Sequence, residues 1–275
     1  MQSLTSENAP SAPASGSRPR SILHVRVGGV PTACLNREEL ALQMVEDCLA
    51  ARNDPDLPAK LVYTSNAHGI SLAATDENFR RALAEADLIH ADGGVIVAAS
   101  RLLTPHRIPE RSATTDFIHD AAAAAAREGL SFYLLGAPEE INAAAARKLE
   151  ELYPGIRIVG RRHGYFSEAD EEAICAEISA SGADVVWIGL GKPKEQIFCL
   201  RNRHRIKAGW IATSGGCFHF LSGDYKRAPK WMCDNGLEWL HRMVTRPRQL
   251  GWRYMVTNPH ALYLLATRTG GTVYL

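Results

Sequence analysis

The amino-acid sequence predicts an α/β protein, with a mostly parallel sheet flanked by helices and a helical appendage at the C-terminal end. Three observations carry this. Short apolar runs alternate with helical stretches from residue 21 to about residue 213. Several of the runs end in loops rich in Gly, Asn and Asp. After Gly223 the style changes: residues 225–275 hold three of the five tryptophans, many arginines and no clear strand except Thr272–Leu275. Strands separated by helices of about 10–15 residues imply right-handed βαβ units.

Taken in order, Ser21–Val27 reads as a strand. Asn36 is an N-cap for a helix to about Ala51, because its side chain can accept from free N–H groups. Leu61–Thr64 is a second strand and Ile70–Ala84 a helix. Asp87–His90 is a short strand that runs into Ala91-Asp92-Gly93-Gly94, followed by a helix from Val95 to about Leu102. Thr115–Glu128, with six consecutive alanines, is a helix that Gly129 stops. Ser131–Leu135 is a strand ending at Gly136. Pro138 opens the next helix, with Glu139 and Glu140 favouring the dipole of its first turn. That helix stops at Pro154-Gly155, and Ile156–Val159 is a strand. Ser167 and Asp170 cap a helix to Ser181. Asp184–Ile188 is a strand, followed by Gly189-Leu190-Gly191-Lys192-Pro193, a helix to about Arg205 and the strand Trp210–Thr213. Three parts result: a disordered segment (1–20), an α/β core (21–224) and a basic, Trp/Arg-rich appendage (225–275).

Composition narrows the function class. The apolar fraction of 46% and charged fraction of 22% are ordinary for a folded soluble chain. The net charge of +1 points to no nucleic-acid partner. Residues 226–275 carry eight Lys/Arg against two Asp/Glu, so the basic excess sits at one end and suits an anionic surface or ligand. The six cysteines form no C-x-x-C pair and read as thiols of a reducing compartment. No run approaches the roughly 18 apolar residues of a membrane span, so any membrane contact is expected to be peripheral. No G-x-G-x-x-G, P-loop, G-x-S-x-G or H-E-x-x-H occurs, which argues against a dinucleotide oxidoreductase, a P-loop NTPase, a serine hydrolase and a zincin. Asp54-Pro55-Asp56 looks like a metal-holding D-x-D but reads better as a surface turn.

Open parallel sheets bind ligands at the carboxyl ends of their strands. The loops after Thr64, His90, Leu135 and Ile188 lie there. Two of them open helices, whose free N–H groups suit phosphate, and Lys192 adds a point charge. Asp92, beside two glycines that permit close backbone approach, could take a proton from an attacking hydroxyl; Asp-Gly is also a common turn. Arg111 could meet a phosphate or a carboxylate. The histidines, His219 included, lack metal-ligand spacing and read as structural or surface residues.

In order and at similar spacing, Thr64-Ser65-Asn66, Ala91-Asp92-Gly93-Gly94, Pro109-Glu110-Arg111, Leu135-Gly136, His163-Gly164-Tyr165-Phe166, Gly189-Leu190-Gly191-Lys192-Pro193, Arg227-Ala228-Pro229 and Gly236-Leu237-Glu238-Trp239-Leu240-His241-Arg242 resemble the WecG/TagA/CpsF glycosyltransferases (glycosyltransferase family 26). The resemblance spans roughly residues 22–265. It implies a Rossmann-like core, a membrane-targeting appendage and inverting, metal-independent transfer with no cofactor beyond the donor. The implied donor is a UDP-sugar of N-acetylmannosamine, glucose or uronic acid type. The implied acceptor is an undecaprenyl-diphosphate-linked sugar of exopolysaccharide or other cell-surface polysaccharide synthesis. It also implies a cytoplasmic protein, peripheral on the inner face of a bacterial plasma membrane, and allows a homo-oligomer. Asp92 matches the catalytic base, and Thr64 and Asn66 match residues near the sugar. Arg111, Gly136, Gly164, Tyr165, Gly189, Gly191, Lys192 and Gln196 belong to the donor side. Arg227, Arg242, Arg246, Arg248 and Arg253 belong to the acceptor diphosphate and membrane.

Two departures stand out. Pro193-Lys194-Glu195-Gln196 replaces the usual P-K-Q-E, and Phe218-His219-Phe220 replaces Phe-Asp-Phe. The first keeps open a second class of function, a nucleotide-sugar-binding regulatory module without catalysis.

Overall fold

The computed structural model describes residues 22–234, 237–245 and 247–274. Expectations for residues 1–20, Gly236, Arg246 and the Arg248 side chain lie outside the described residues. The chain opens with a hairpin: β1 (Leu23–Val27) and β2 (Val30–Ala33) turn around Gly28 and Gly29, both at positive φ (58° and 87°). A two-residue loop of this kind joins antiparallel strands. The first predicted strand therefore stands apart from the parallel sheet. It centres a small antiparallel sheet completed by Thr272–Tyr274 from the far end of the chain.

Helix α1 (Arg37–Asn53) starts where Asn36 foretells. The Asn36 side chain accepts from Glu39 N–H and the Glu39 carboxylate accepts from Asn36 N–H, each at 2.8 Å. After β3 (Lys60–Ser65), the single helix predicted over 70–84 is two: α2 (Ala67–Thr75) and α3 (Glu77–Ala84). Asp76 divides them, because its extended backbone ends α2 and its carboxylate caps α3 through Phe79 N–H at 3.0 Å. There follow β4 (Leu88–Ala91), α4 (Gly94–Leu103) and the Ala-rich α5 (Thr114–Glu128), which Gly129 ends in the left-handed conformation at φ 64°. Next come β5 (Ser131–Gly136), α6 (Glu139–Leu152), β6 (Arg157–Arg162), α7 (Glu171–Ala180), β7 (Val185–Gly189), α8 (Lys194–Asn202) and β8 (Trp210–Thr213).

The six strands β3–β8 form one parallel sheet in the order β4-β3-β8-β7-β5-β6. Its central strands are buried on both faces, so they read as continuous apolar runs. Leu61, Tyr63, Ile188 and Ile211 face one layer with α2, α3, α7 and α8. Val62, Leu134, Trp187 and Trp210 face the other, with α1, α5 and α6. The alanine run serves this second layer: Ala121, Ala122, Ala124 and Ala125 are all buried between the sheet and α1.

Beyond β8 lie α9 (Cys217–Leu221), α10 (Lys230–Asp234), α11 (Glu238–Thr245), a π-helical turn (Pro247–Gly251), α12 (Trp252–Thr267) and β9 (Thr272–Tyr274). The C-terminal segment is helical, as its composition suggests. It also docks on the rest of the chain: α12 buries Ala261, Leu264 and Leu265 in the α2 layer, and β9 pairs with β1. Among the described residues no helix is long and apolar enough to cross a membrane. The six cysteines are free, four of them buried.

Candidate active site

The carboxyl ends of β3, β4, β7 and β8 open onto a cleft of about 500 Å³, and α11 and α12 form its outer wall. Four loops are expected from the sequence at the ligand-binding ends of the strands. Those after β3, β4 and β7 line this cleft, whereas the one after β5 does not. Its place is taken by Ser214-Gly215-Gly216 after β8. The signal was present, since Thr213-Ser214-Gly215-Gly216 also ends a strand in small residues.

Asp92 stands at the end of β4. Its backbone N–H donates to Ser65 O at 2.9 Å, which extends the β3–β4 pairing by one residue. Gly93 makes this possible, because a Cβ there would sit 3.2 Å from Asn66 Cα. The Asp92 carboxylate accepts from Asn66 Nδ2 at 2.8 Å and from Thr114 N–H at 3.2 Å. The second bond caps α5, whose own N-cap, Ala113, has no side-chain acceptor. Asn66 is held from both ends, as its Oδ1 accepts from Gly69 N–H at 3.0 Å. Burial pushes the Asp92 carboxyl up, but the Lys192 ammonium, the Asn66 amide, His90 and Arg111 together outweigh it and hold it below the ordinary value. Asp92 is thus an ionised carboxylate with one lone pair on each oxygen still open.

Lys192 reaches under the cleft from the β7 loop and donates to Thr64 Oγ1 at 2.6 Å. Burial lowers its pKa, while Glu195 and Asp92 oppose that shift. Glu195 is almost wholly buried, and its Oε2 accepts from both Gly191 N–H (3.1 Å) and Gly215 N–H (3.0 Å). It staples the β7 loop to the β8 loop, a role the sequence did not suggest. Burial raises its pKa against the pull of Lys192 and these donors.

The C-terminal segment supplies a second set of charges. Arg111 donates to Glu238 of α11 at 3.1 Å and to Asp116 of α5 at 3.3 Å, and Arg227 pairs with Asp116 at 2.5 Å. Arg242 lies over the Phe220 ring at 5.6 Å and Arg253 over Tyr254 at 5.1 Å. Among the described residues no carboxylate pairs with either, and Arg253 Nε is buried without a hydrogen-bond partner. Trp239 and Tyr254 meet edge to face beside them. Among the described residues no three His, Cys, Asp or Glu side chains gather as a ligand set for a metal.

Of the residues singled out from the sequence, Asn66, Asp92, Arg111, Gly191, Lys192, Arg242 and Arg253 meet at the cleft. Thr64 lies directly beneath, as the acceptor for Lys192. Gln196 is fully buried and does not reach the cleft; its amide donates to Glu195 at 3.2 Å. Gly136, Gly164 and Gly189 cluster at the neighbouring strand end, where close backbone packing explains them. A Cβ on Gly136, at φ 138°, would fall 2.3 Å from Gly189 O, and one on Gly164 would fall 3.0 Å from Gly136 Cα. Tyr165 is exposed beside them. Arg227 is spent on Asp116 outside the cleft. The Asp54-Pro55-Asp56 stretch is the exposed turn expected of it.

A carboxylate, a buried lysine and acid-free arginines around a cleft at the strand ends of a parallel α/β sheet suit an anionic ligand such as a phosphate. The chain belongs to the glycosyl transferase WecG/TagA/CpsF family, whose model matches residues 25–272. It is therefore a glycosyltransferase of cell-surface polysaccharide synthesis.

Proposed function

We propose that the protein moves a sugar from a UDP-sugar to an undecaprenyl-diphosphate-linked acceptor at the inner face of the plasma membrane, by one direct displacement that inverts the anomeric carbon. The observation that carries this is the state of the cleft carboxylates. Glu195 is almost wholly buried with both lone pairs of Oε2 filled and Oε1 taken by Gln196, and Glu238 pairs with Arg111, whereas Asp92 is partly exposed to the space and keeps one lone pair open on each oxygen. It takes the proton of the acceptor hydroxyl as the new C–O bond forms and the bond to the UDP oxygen breaks. Lys192 takes up the charge on the departing diphosphate, and on this reading the acid-free Arg242 and Arg253, expected from the sequence on the acceptor side, join it because they line the same cleft. The same geometry times the base. Lys192 is the first of the groups that hold the Asp92 pKa down, so a diphosphate beside Lys192 offsets that charge and strengthens Asp92 when the donor is in place. Exposed Trp231, Trp252, Met255 and Tyr263 on the C-terminal helices suit an interfacial contact.

The test is a screen of UDP-sugars against a synthetic lipid-diphosphate sugar acceptor, with and without EDTA, for the wild type and Asp92→Asn. Loss of a general base lowers turnover by about 10²–10⁴-fold. UDP affinity is expected to be retained and EDTA to change little. Full turnover in Asp92→Asn sinks the assignment of the base, and strict Mg²⁺ dependence sinks the metal-free leaving step.

A further inference from the structure

His68 is the second residue of α2 and lines the cleft. Among the described residues no side chain or backbone group hydrogen-bonds its ring. Its neighbours fix where it stands relative to the chemistry. Two residues before it, Asn66 donates to Asp92 at 2.8 Å. One residue after it is Gly69, and a Cβ there would meet Lys192 Cε at 3.5 Å, so the lysine chain runs across the first turn of α2. Arg253 also lines the cleft, close enough to act on the imidazole electrostatically.

On the reading above, the anomeric carbon must lie between the base that activates the acceptor hydroxyl and the cations that receive the diphosphate. His68 lines the same cleft as Asp92, two residues along the chain from the Asn66 that donates to Asp92, and Lys192 and Arg253 lie close enough to act on its ring. We propose that His68 is a specificity-determining residue whose ring hydrogen-bonds a hydroxyl or amide of the transferred sugar. Burial, helped by Arg253 and Lys192, brings its pKa down to about 4, so at neutral pH the ring offers one N–H donor and one acceptor nitrogen. A ring with both functions reads a hydroxyl in either sense, which another cation could not do.

The experiment uses full-length protein with ¹⁵N-labelled histidine. It is titrated separately with UDP, UDP-glucose, UDP-N-acetylmannosamine and the corresponding uronate. A UDP-sugar is expected to shift the His68 ring resonances where UDP alone does not. Affinities by calorimetry are expected to fall about tenfold for that UDP-sugar in His68→Ala, the loss of one good hydrogen bond, and less than twofold for UDP. His68→Gln, which keeps a donor and an acceptor, is expected to recover part of the loss; unchanged melting temperatures confirm intact folds. An equal loss for UDP and UDP-sugar, or no loss for either, overturns the proposal. The parallel turnover of Asp92→Asn keeps the two readings apart, because full activity there defeats the base without touching the His68 comparison. Failure of UDP itself to bind the wild type overturns the donor assignment and this inference with it.

Discussion

The ion-pair chain that docks α11 is open to a quantitative test. Arg111 and Glu238 approach to 3.1 Å with side chains only 18% and 13% exposed, whereas Arg227 and Asp116 approach to 2.5 Å with 39% and 23% exposed. Two unit charges about 4 Å apart attract by about 4 kcal/mol at an effective dielectric of about 20, before desolvation and side-chain ordering are subtracted. Exposed pairs keep about 0.2–1 kcal/mol of this, and the better-shielded Arg111–Glu238 pair is expected to keep about 1–2 kcal/mol. The Glu238→Gln, Arg111→Gln and double variants form the cycle that isolates the coupling. Hydrogen exchange of α11 is the appropriate assay, because it reads local opening separately from global unfolding. If Glu238→Gln loses about 1–2 kcal/mol of local stability, exchange in α11 becomes about 5–30 times faster, and the cycle reports how much of that loss is coupling to Arg111. Asp116 adds a pH signature. Burial raises its pKa, but Arg227 and Arg111 more than offset that and leave it depressed. Its contribution is therefore complete above the ordinary carboxylate range and disappears as pH falls through the folded value. Exchange in α11 that is indifferent to Glu238→Gln, or a cycle that closes to zero, refutes the claim that these charges hold the cleft wall.

Other variants probe the rest of the site and the core. Glu195→Gln is expected to keep near-native stability: its amide oxygen can accept from Gly191 and Gly215, while its NH₂ can meet the buried, unpartnered Oε1 of Gln196 once that amide rotates. Glu195→Ala frees both loops and should cost about 2–4 kcal/mol in urea denaturation; equal stabilities for the two variants contradict the staple. Gly136→Ala places a Cβ 2.3 Å from Gly189 O at φ 138° and should lower stability by several kcal/mol, on the order of 2–4. A melting temperature unchanged by that substitution is incompatible with the packing described. Asp184 accepts from Arg52 Nε and Nη2 at 2.6 and 2.7 Å and from Ser131 N–H at 2.6 Å. Burial raises its pKa, but these donors leave it depressed. Asp184→Asn should cost about 1–3 kcal/mol at pH 7, and the deficit should shrink as pH falls below the ordinary carboxylate range. A deficit constant with pH argues against the ionised carboxylate as its source.

Much of the fold was readable because its determinants are local. Asn36, Gly129 and Pro138 each mark an element boundary by local chemistry, and each boundary lies within a residue or two of its expected place. The breaks in that legibility have local causes too. Asp76 could sit within a helix or cap one, and its extended backbone and its carboxylate's bond to Phe79 N–H make it a cap here. Val30–Ala33 was missed because a short strand beside a Gly-Gly turn leaves little apolar pattern to read.

The site divides along the same line. Asp92, Lys192 and the first glycine loops could be placed from sequence, since the carboxyl end of a parallel strand is a position that topology itself makes available to a ligand. The sequence alone determined the α/β class, the strand ends and the family. Tertiary structure decided which charges remain available. Arg227 and Arg111 read as phosphate ligands until Asp116 and Glu238 are seen holding them. Glu195 read as a misplaced acid until its two backbone donors appeared, and His68 read as ordinary until it was seen to line the cleft beside Lys192 and Arg253. Whether a charged group is free or neutralised depends on partners as far away as 127 residues along the chain, as between Arg111 and Glu238, and the local pattern of residues carries no record of such distances.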